Sequence, residues 1–176
     1  GRQLANLKPD FVRIYPTAVL KNSQLAEWYQ SGKYKPPTLE KSITLVKQLF
    51  LYFRKHNISV IRMGLQATEN SAIKGTILAG PHHPAFGHLV HSELFLDMAR
   101  LLFREKKHHG DAITLRVHPR SISKIRGLKN RNVHALQKEY DLRTVRVVPE
   151  PLLPEAGLQI ADSGPVVTYD NCSCEL

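Results

Sequence analysis

Residues able to do chemistry gather in four places along this sequence, and each suits a different ligand. Between Arg116 and Arg146 stand Arg116, Arg120, Lys124, Arg126, Lys129, Arg131, Lys138, Arg143 and Arg146, against only Glu139 and Asp141. Nine bases against two acids supply most of the chain's formal net charge of +10. A local excess of that kind suits a polyanionic partner better than a diffuse one would. At its centre Gly127-Leu128-Lys129-Asn130 reads as a tight turn, so Lys129 and Arg131 are the expected phosphate contacts, with Lys124 and Arg126 behind them. No aromatic platform is interleaved with these bases, which favours contact with a nucleic-acid backbone over base readout. The plainer reading of the same residues is a solvated basic face.

The second place is His82, His83, His88, His91 and Glu93. Neutral imidazole ligates zinc, iron and nickel. Yet no two of these histidines stand four apart on one helix, and His88 with His91 is only a loose three-residue match, so polar loop residues are expected rather than a metal site. His108 and His109, beside Lys106 and Lys107 at a helix end, are expected to complement the helix dipole. The third place is Cys172 and Cys174, the only cysteines. A disulfide across one intervening residue would be strained, so a reducing, cytoplasmic setting is expected. The fourth is a pair of strand ends, Tyr15-Pro16 and Met63-Gly64-Leu65-Gln66. No P-loop, Ser/His/Asp arrangement or carboxylate pair emerges from the fifteen acids, so hydrolase chemistry has no support.

These residues need elements to position them. Phe11-Val12-Arg13-Ile14-Tyr15 is β-rich and stops at Pro16, and Ser59 to Leu65 reads likewise, so both are expected as buried strands. Between them Thr38 stands as an N-cap, and Ile43, Val46, Leu49, Phe50 and Phe53 recur at helical spacing to about Lys55. A short helix is expected through Leu25 to Tyr29. Strand, long helix and strand form a βαβ unit, whose strands should be parallel. Parallel sheets hold ligands at the carboxyl ends of their strands. A second long helix should start at Ala85 or Gly87 and reach Lys106. Then comes a βααβ pattern: strand Ala112 to His118, helices 120–125 and 132–140 about the Gly127 turn, and strand Thr144 to Val148. One more strand is expected at Val166 to Tyr169.

At 176 residues and 20.0 kDa the chain can bury a core, and 42% hydrophobic with 23% charged residues is an ordinary globular balance. Its longest apolar runs fall well short of the about 20 residues a membrane span needs, so no membrane is expected. The chain opens at Gly1 in what reads as an amphipathic helix already under way, so a longer parent is expected. No secretory h-region is present.

The stretch Val12-Arg13-Ile14-Tyr15-Pro16-Thr17-Ala18-Val19-Leu20-Lys21-Asn22-Ser23, continuing through Trp28-Tyr29, Gly32 and Tyr34, resembles radical SAM proteins, in particular the Elongator catalytic subunit and the oxygen-independent coproporphyrinogen III oxidase-like proteins. Gly80-Pro81-His82-His83-Pro84-Ala85-Phe86-Gly87 and Glu93-Leu94-Phe95 resemble a C-terminal extension found in part of that superfamily, and the likeness covers roughly residues 1 to 150. It implies an enzyme that reductively cleaves S-adenosylmethionine with a [4Fe–4S] cluster. The cluster needs three thiolates at C-x-x-x-C-x-x-C spacing, and this chain has two cysteines at another spacing. The cluster-bearing N-terminal half is therefore expected elsewhere in the same protein, and neither cofactor is expected on this fragment alone.

By that resemblance residues 1–67 are the last strands and helix of a partial (β/α) barrel, residues 68–110 a loop and helix of the extension, 111–150 a βααβ unit and 151–176 a tail, with an internal boundary near Gly110. Tyr15, Pro16, Met63, Gly64 and Gln66 would face the cofactor, Gly64 leaving room for close approach. The βααβ segment also resembles a KH module, in which a GXXG loop joins two short helices and clamps a nucleic-acid backbone. Lys124, Arg126, Gly127, Lys129, Asn130 and Arg131 would then contact tRNA or another RNA. Asn130 replaces the second glycine, and asparagine tolerates the left-handed conformation. The expected fold class is thus α/β, and the expected function is the C-terminal portion of a radical SAM iron–sulfur enzyme, forming cavity wall and substrate-docking surface. A non-catalytic RNA-binding module is the alternative. The substrate, a porphyrinogen, a tRNA base or another molecule, stays open.

Overall fold

The computed structural model describes residues 1–65, 75–105, 111–161 and 164–173. By its own contacts the chain divides into two units, Gly1–Val90 and His91–Leu176, within one long helix. The boundary expected near Gly110 lies outside the described residues.

The first unit runs α1 (Arg2–Asn6), β1 (Phe11–Ile14), β2 (Val19–Leu20), α2 (Gln24–Gln30), α3 (Leu39–Lys55), β3 (Ser59–Met63) and β4 (Ile77–Ala79) into the start of α4 (Phe86–Glu105). Helix α3 begins where its capping residue stands: the Thr38 hydroxyl accepts from the Lys41 amide at 3.2 Å. It ends as Asn57 turns left-handed at φ 57°, and the Ile58 amide reaches back to the Phe53 carbonyl at 2.9 Å. Phe53 packs with Ala5 and Ile58, and Leu49 and Tyr52 extend that contact to Val12, Ile14 and Val60 of the two strands.

Strands β1 and β3 pair in parallel, Phe11 with Ser59, Val12 with Val60, Arg13 with Arg62 and Ile14 with Met63. The expected βαβ unit is present, with one difference. Both strands were expected to be buried, whereas β1 alternates between exposed and half-buried residues and β3 breaks that alternation at a register shift, where Ile61 and Arg62 are both exposed. The inward residues meet α3. The alternate ones face the other way, and Phe11, Arg13, Tyr15 and Ile61 stay exposed. A second, two-stranded antiparallel sheet, β2 with β4, was not foreseen.

The second unit continues α4 into β5 (Ala112–Val117), α5 (Ile122–Arg126), α6 (Arg131–Glu139), β6 (Thr144–Pro149) and β7 (Leu158–Ile160), with 3₁₀ turns at Pro119–Ser121, Leu128–Asn130 and Tyr169–Asn171. Its sheet has the order β6-β5-β7, with β5 parallel to β6 and antiparallel to β7. Ile113, Leu115 and Val117 alternate inward and are buried, as are Ile125 of α5 and Leu136 of α6. The strand expected at Val166–Tyr169 is a correction: the tail's strand is β7, and Val167 makes only a single bridge to Leu158. The reason is local. Thr168 and Asn171 form a reciprocal capping box that turns the chain into a 3₁₀ turn. No helix among the described residues is long and apolar enough to cross a membrane.

One ion pair in this unit sets a pH dependence. Arg100 of α4 forks onto Glu139 of α6, with Nε 2.9 Å and Nη2 2.5 Å from the two carboxylate oxygens. That hydrogen bond holds the Glu139 carboxyl below its ordinary range. A depressed carboxyl contributes stability above its unfolded pKa of about 4.3 and loses it as pH falls through the folded value. Wild type should therefore lose more stability than Glu139→Gln between about pH 5 and pH 3. The difference should stay below about 1 kcal/mol, because the carboxylate is more than a third exposed. Urea titrations across that range check it, and equal slopes for both proteins would rule it out.

Candidate functional site

The carboxyl ends of β1 and β3 lie side by side. The Gly64 amide donates to the Ile14 carbonyl at 2.9 Å, so the parallel pairing extends to the last residue of the strand end. Tyr15 follows β1 and is exposed, Pro16 is half-buried, and Met63 pairs with Ile14. The topology thus brings Tyr15, Pro16, Met63 and Gly64 together; Gln66 lies outside the described residues.

Gly64 is required here for a reason the sequence did not show. Its φ is +81°, and a Cβ at this position would stand 2.6 Å from the Cβ of Phe86 and 2.9 Å from its ring. Phe86 is itself buried. The room left by the missing side chain is thus taken by the first residue of α4. Gly87 closes on the same strand end, where a Cβ would lie 3.1 Å from the Met63 carbonyl oxygen. On the α4 side the strand end is filled by protein, and on the other side Tyr15 is open.

The turn between α5 and α6 forms the second candidate site. Gly127 has φ 69°, and Lys129 and Asn130 are both left-handed at φ 52° and 60°. Asn130 therefore does what a second glycine would do for the backbone. The turn is pinned from beneath by Asn132, which is 1% exposed. Its side-chain amide donates to the Ser92 carbonyl at 2.8 Å and the Lys124 carbonyl at 3.3 Å. A Cβ on Gly127 would lie 2.8 Å from the Asn132 Oδ1, so the glycine is needed for this close approach.

The bases of the turn are not equivalent. Arg126 and Lys129 are exposed and have no ion-pair partner among the described residues. Arg131 is bound to Glu93 of α4 at 2.9 Å. Arg120 is bound to Glu155 at 2.7 Å, and it holds that carboxyl below its ordinary range. Lys124 donates to the Ser121 hydroxyl at 3.2 Å. Sequence reasoning missed Glu93, Asn132 and Glu155 as parts of this site. The two acids lie 38 and 35 residues from the arginines they hold, beyond any local pattern.

The histidines are used separately. The His83 Nδ1 accepts from the Ala85 amide at 3.1 Å, and the His91 ring meets the Tyr169 hydroxyl at 3.2 Å, while Glu93 is committed to Arg131. Among the described residues no three His, Cys, Asp or Glu side chains gather as a metal site.

A parallel βαβ unit, its paired strand ends and the helix start packed on them are what the comparison with known families matches. Residues 9–95 match the Radical_SAM C-terminal domain. This stretch is thus similar to a C-terminal region of radical SAM proteins. It contains β1, α3, β3, the strand ends and the Phe86–Gly87 contact, and it leaves the βααβ unit outside. No curated protein and no solved structure gives a significant match.

Proposed function

We propose that this chain is the C-terminal portion of a radical SAM iron–sulfur enzyme of the Elongator-like or coproporphyrinogen oxidase-like kind. Residues 1–67 would then be the last βαβ unit of its partial (β/α) barrel. The observation that carries this is the β1–β3 sheet inside the matched domain. Parallel sheets are normally covered on both faces, yet helix α3 covers only one face here and Phe11, Tyr15 and Ile61 stand exposed on the other. In a barrel that second face lines the interior, and the ends at Tyr15, Pro16, Met63, Gly64 and Gln66 sit where such folds hold ligands.

The family implies S-adenosylmethionine and a [4Fe–4S] cluster, whose role in the parent would be reductive cleavage of the cofactor. Two cysteines cannot supply three thiolates, so the cluster does not fit this chain and belongs to an N-terminal half. Reconstituted anaerobically with iron and sulfide, the 176-residue chain should form no [4Fe–4S] cluster and no 5′-deoxyadenosine. The full gene product should do both through a C-x-x-x-C-x-x-C motif upstream of Gly1. A cluster held by Cys172 and Cys174, or a full gene product lacking the motif, would overturn the reading.

A second reading concerns the βααβ unit alone: a KH-like module that clamps RNA by its backbone. Its support is the geometry of the Gly127–Asn130 turn, which joins two short helices and presents Arg126 and Lys129 to solvent. The same unit could serve the enzyme as an RNA-docking surface.

A further inference from the structure

Strands β5 and β6 run parallel and end side by side, where the Glu150 amide donates to the Val117 carbonyl at 2.8 Å. Ligands of open parallel sheets gather at such carboxyl ends. From here β5 turns through Pro119–Ser121 into α5, and β6 runs into a proline-rich loop that carries Glu155. The backbone of Glu155 is pinned. The buried Ser121 hydroxyl donates to its carbonyl at 2.6 Å, the Gly157 amide closes a turn onto the Pro154 carbonyl at 2.8 Å, and Leu153 is buried. From that fixed backbone the Glu155 carboxylate meets the Arg120 guanidinium at 2.7 Å. The Arg120 hydrogen bond above all, with the charges of Arg120, Lys124 and His118, holds this carboxyl below its ordinary range. An acid of the chain itself thus sits among the bases, in the place an anionic ligand would take.

We propose that Glu155 is an internal competitor for RNA phosphate: its carboxylate occupies Arg120 in the free protein and sets how tightly the βααβ unit holds RNA. This rests on the KH-like reading above and concerns the regulation of that site. Helix α5 is five residues long, about 7–8 Å, so a single strand lying on the Gly127 turn is within reach of Arg120. The side chains of Arg120 and Glu155 are 78% and 49% exposed, which lets a phosphate exchange for the carboxylate. That exchange gains little, because one charge-assisted hydrogen bond replaces another and the displaced carboxylate stays close as a repelling charge. The tail loop is therefore a brake on the basic turn, released by any change that neutralises or moves Glu155.

The test measures binding of a mixed-sequence single-stranded RNA to the full 176-residue chain at about 50 mM salt. Glu155→Gln keeps the size of the side chain and removes its charge. It should bind about 3- to 10-fold more tightly than wild type, the scale of one exposed ion pair released and one nearby like charge removed. Glu150→Gln is the control, since it removes the same charge from the same loop, where the carboxylate accepts from the Leu152 amide at 3.3 Å instead of binding Arg120. It should change affinity less than about twofold. With Arg120→Gln added, the Glu155→Gln protein should bind no more tightly than wild type, because the released arginine is what meets the phosphate. Equal binding by Glu155→Gln and wild type, an equal gain from Glu150→Gln, or a gain that survives Arg120→Gln would each overturn the proposal. If RNA binds wild type and is weakened by Lys129→Ala while Glu155→Gln changes nothing, the RNA reading stands and the competitor falls. Binding by neither wild type nor Glu155→Gln ends both.

Discussion

Raising salt from about 50 to about 200 mM should weaken binding of single-stranded RNA to this chain on the order of 100-fold. The expectation comes from five bases near the Gly127–Asn130 turn, Arg120, Lys124, Arg126, Lys129 and Arg131. Each phosphate contact on a single strand contributes about 0.7 to the salt slope, so five give roughly −3.5. Replacing Lys129 and Arg131 together by alanine should flatten the slope by about 1 to 1.4, with the fold intact because both side chains are exposed. The two losses should be unequal. Lys129 is free to meet phosphate, whereas Arg131 must first leave Glu93. Lys129→Ala alone should therefore cost more affinity than Arg131→Ala. Filter binding with a mixed-sequence oligonucleotide at four salt concentrations measures all of this. No binding at the lowest salt, or a slope indifferent to the double substitution, would reduce the segment to a solvated surface.

What could be read from the sequence follows the range over which each feature is encoded. Helix α3 was legible because its N-cap Thr38 and its apolar spacing lie within its own residues, and the observed span is the expected one. The turn at Gly127 was legible for the same reason, down to a left-handed Asn130. Strands β2 and β4 were not, because a two-residue and a three-residue strand carry no periodicity and find each other across more than fifty residues. Val166 to Tyr169 has strand-forming residues, but the capping hydrogen bonds of Thr168 and Asn171 outcompete a ladder there. The strand Phe11 to Tyr15 was read as a continuous buried run. Arg13 in its middle was the sign of alternation, and it marks the face of β1 that stays exposed.

The strand end yields the other large effect. Unit one should not tolerate a side chain at Gly64. Alanine there meets two separate obstacles: a φ of +81°, which costs a non-glycine residue on the order of 1–3 kcal/mol, and a Cβ 2.6 Å from that of Phe86. Overpacking of this kind costs roughly 1–3 kcal/mol more, since the clashing atom is a Cβ fixed to the backbone rather than the tip of a flexible chain. Gly64→Ala should thus lose about 2–6 kcal/mol. Phe86→Gly, which removes the clashing Cβ as well as the ring, should lose at least about 3–5 kcal/mol by leaving a cavity. The informative variant is the double. With the ring and the Cβ both gone, the clash at Gly64 is largely relieved and only backbone strain remains, so the second substitution should cost about 1–3 kcal/mol less than it does in wild type. Trp28 is the only tryptophan and lies in this unit, so its fluorescence in urea follows the right transition. Additive losses would mean that Phe86 does not occupy the space beside Gly64. The strand end would then be open on both sides, and a ligand could reach it from the α4 side. A strong coupling closes that side and leaves the face of Arg13 and Tyr15 as the approach to these strands.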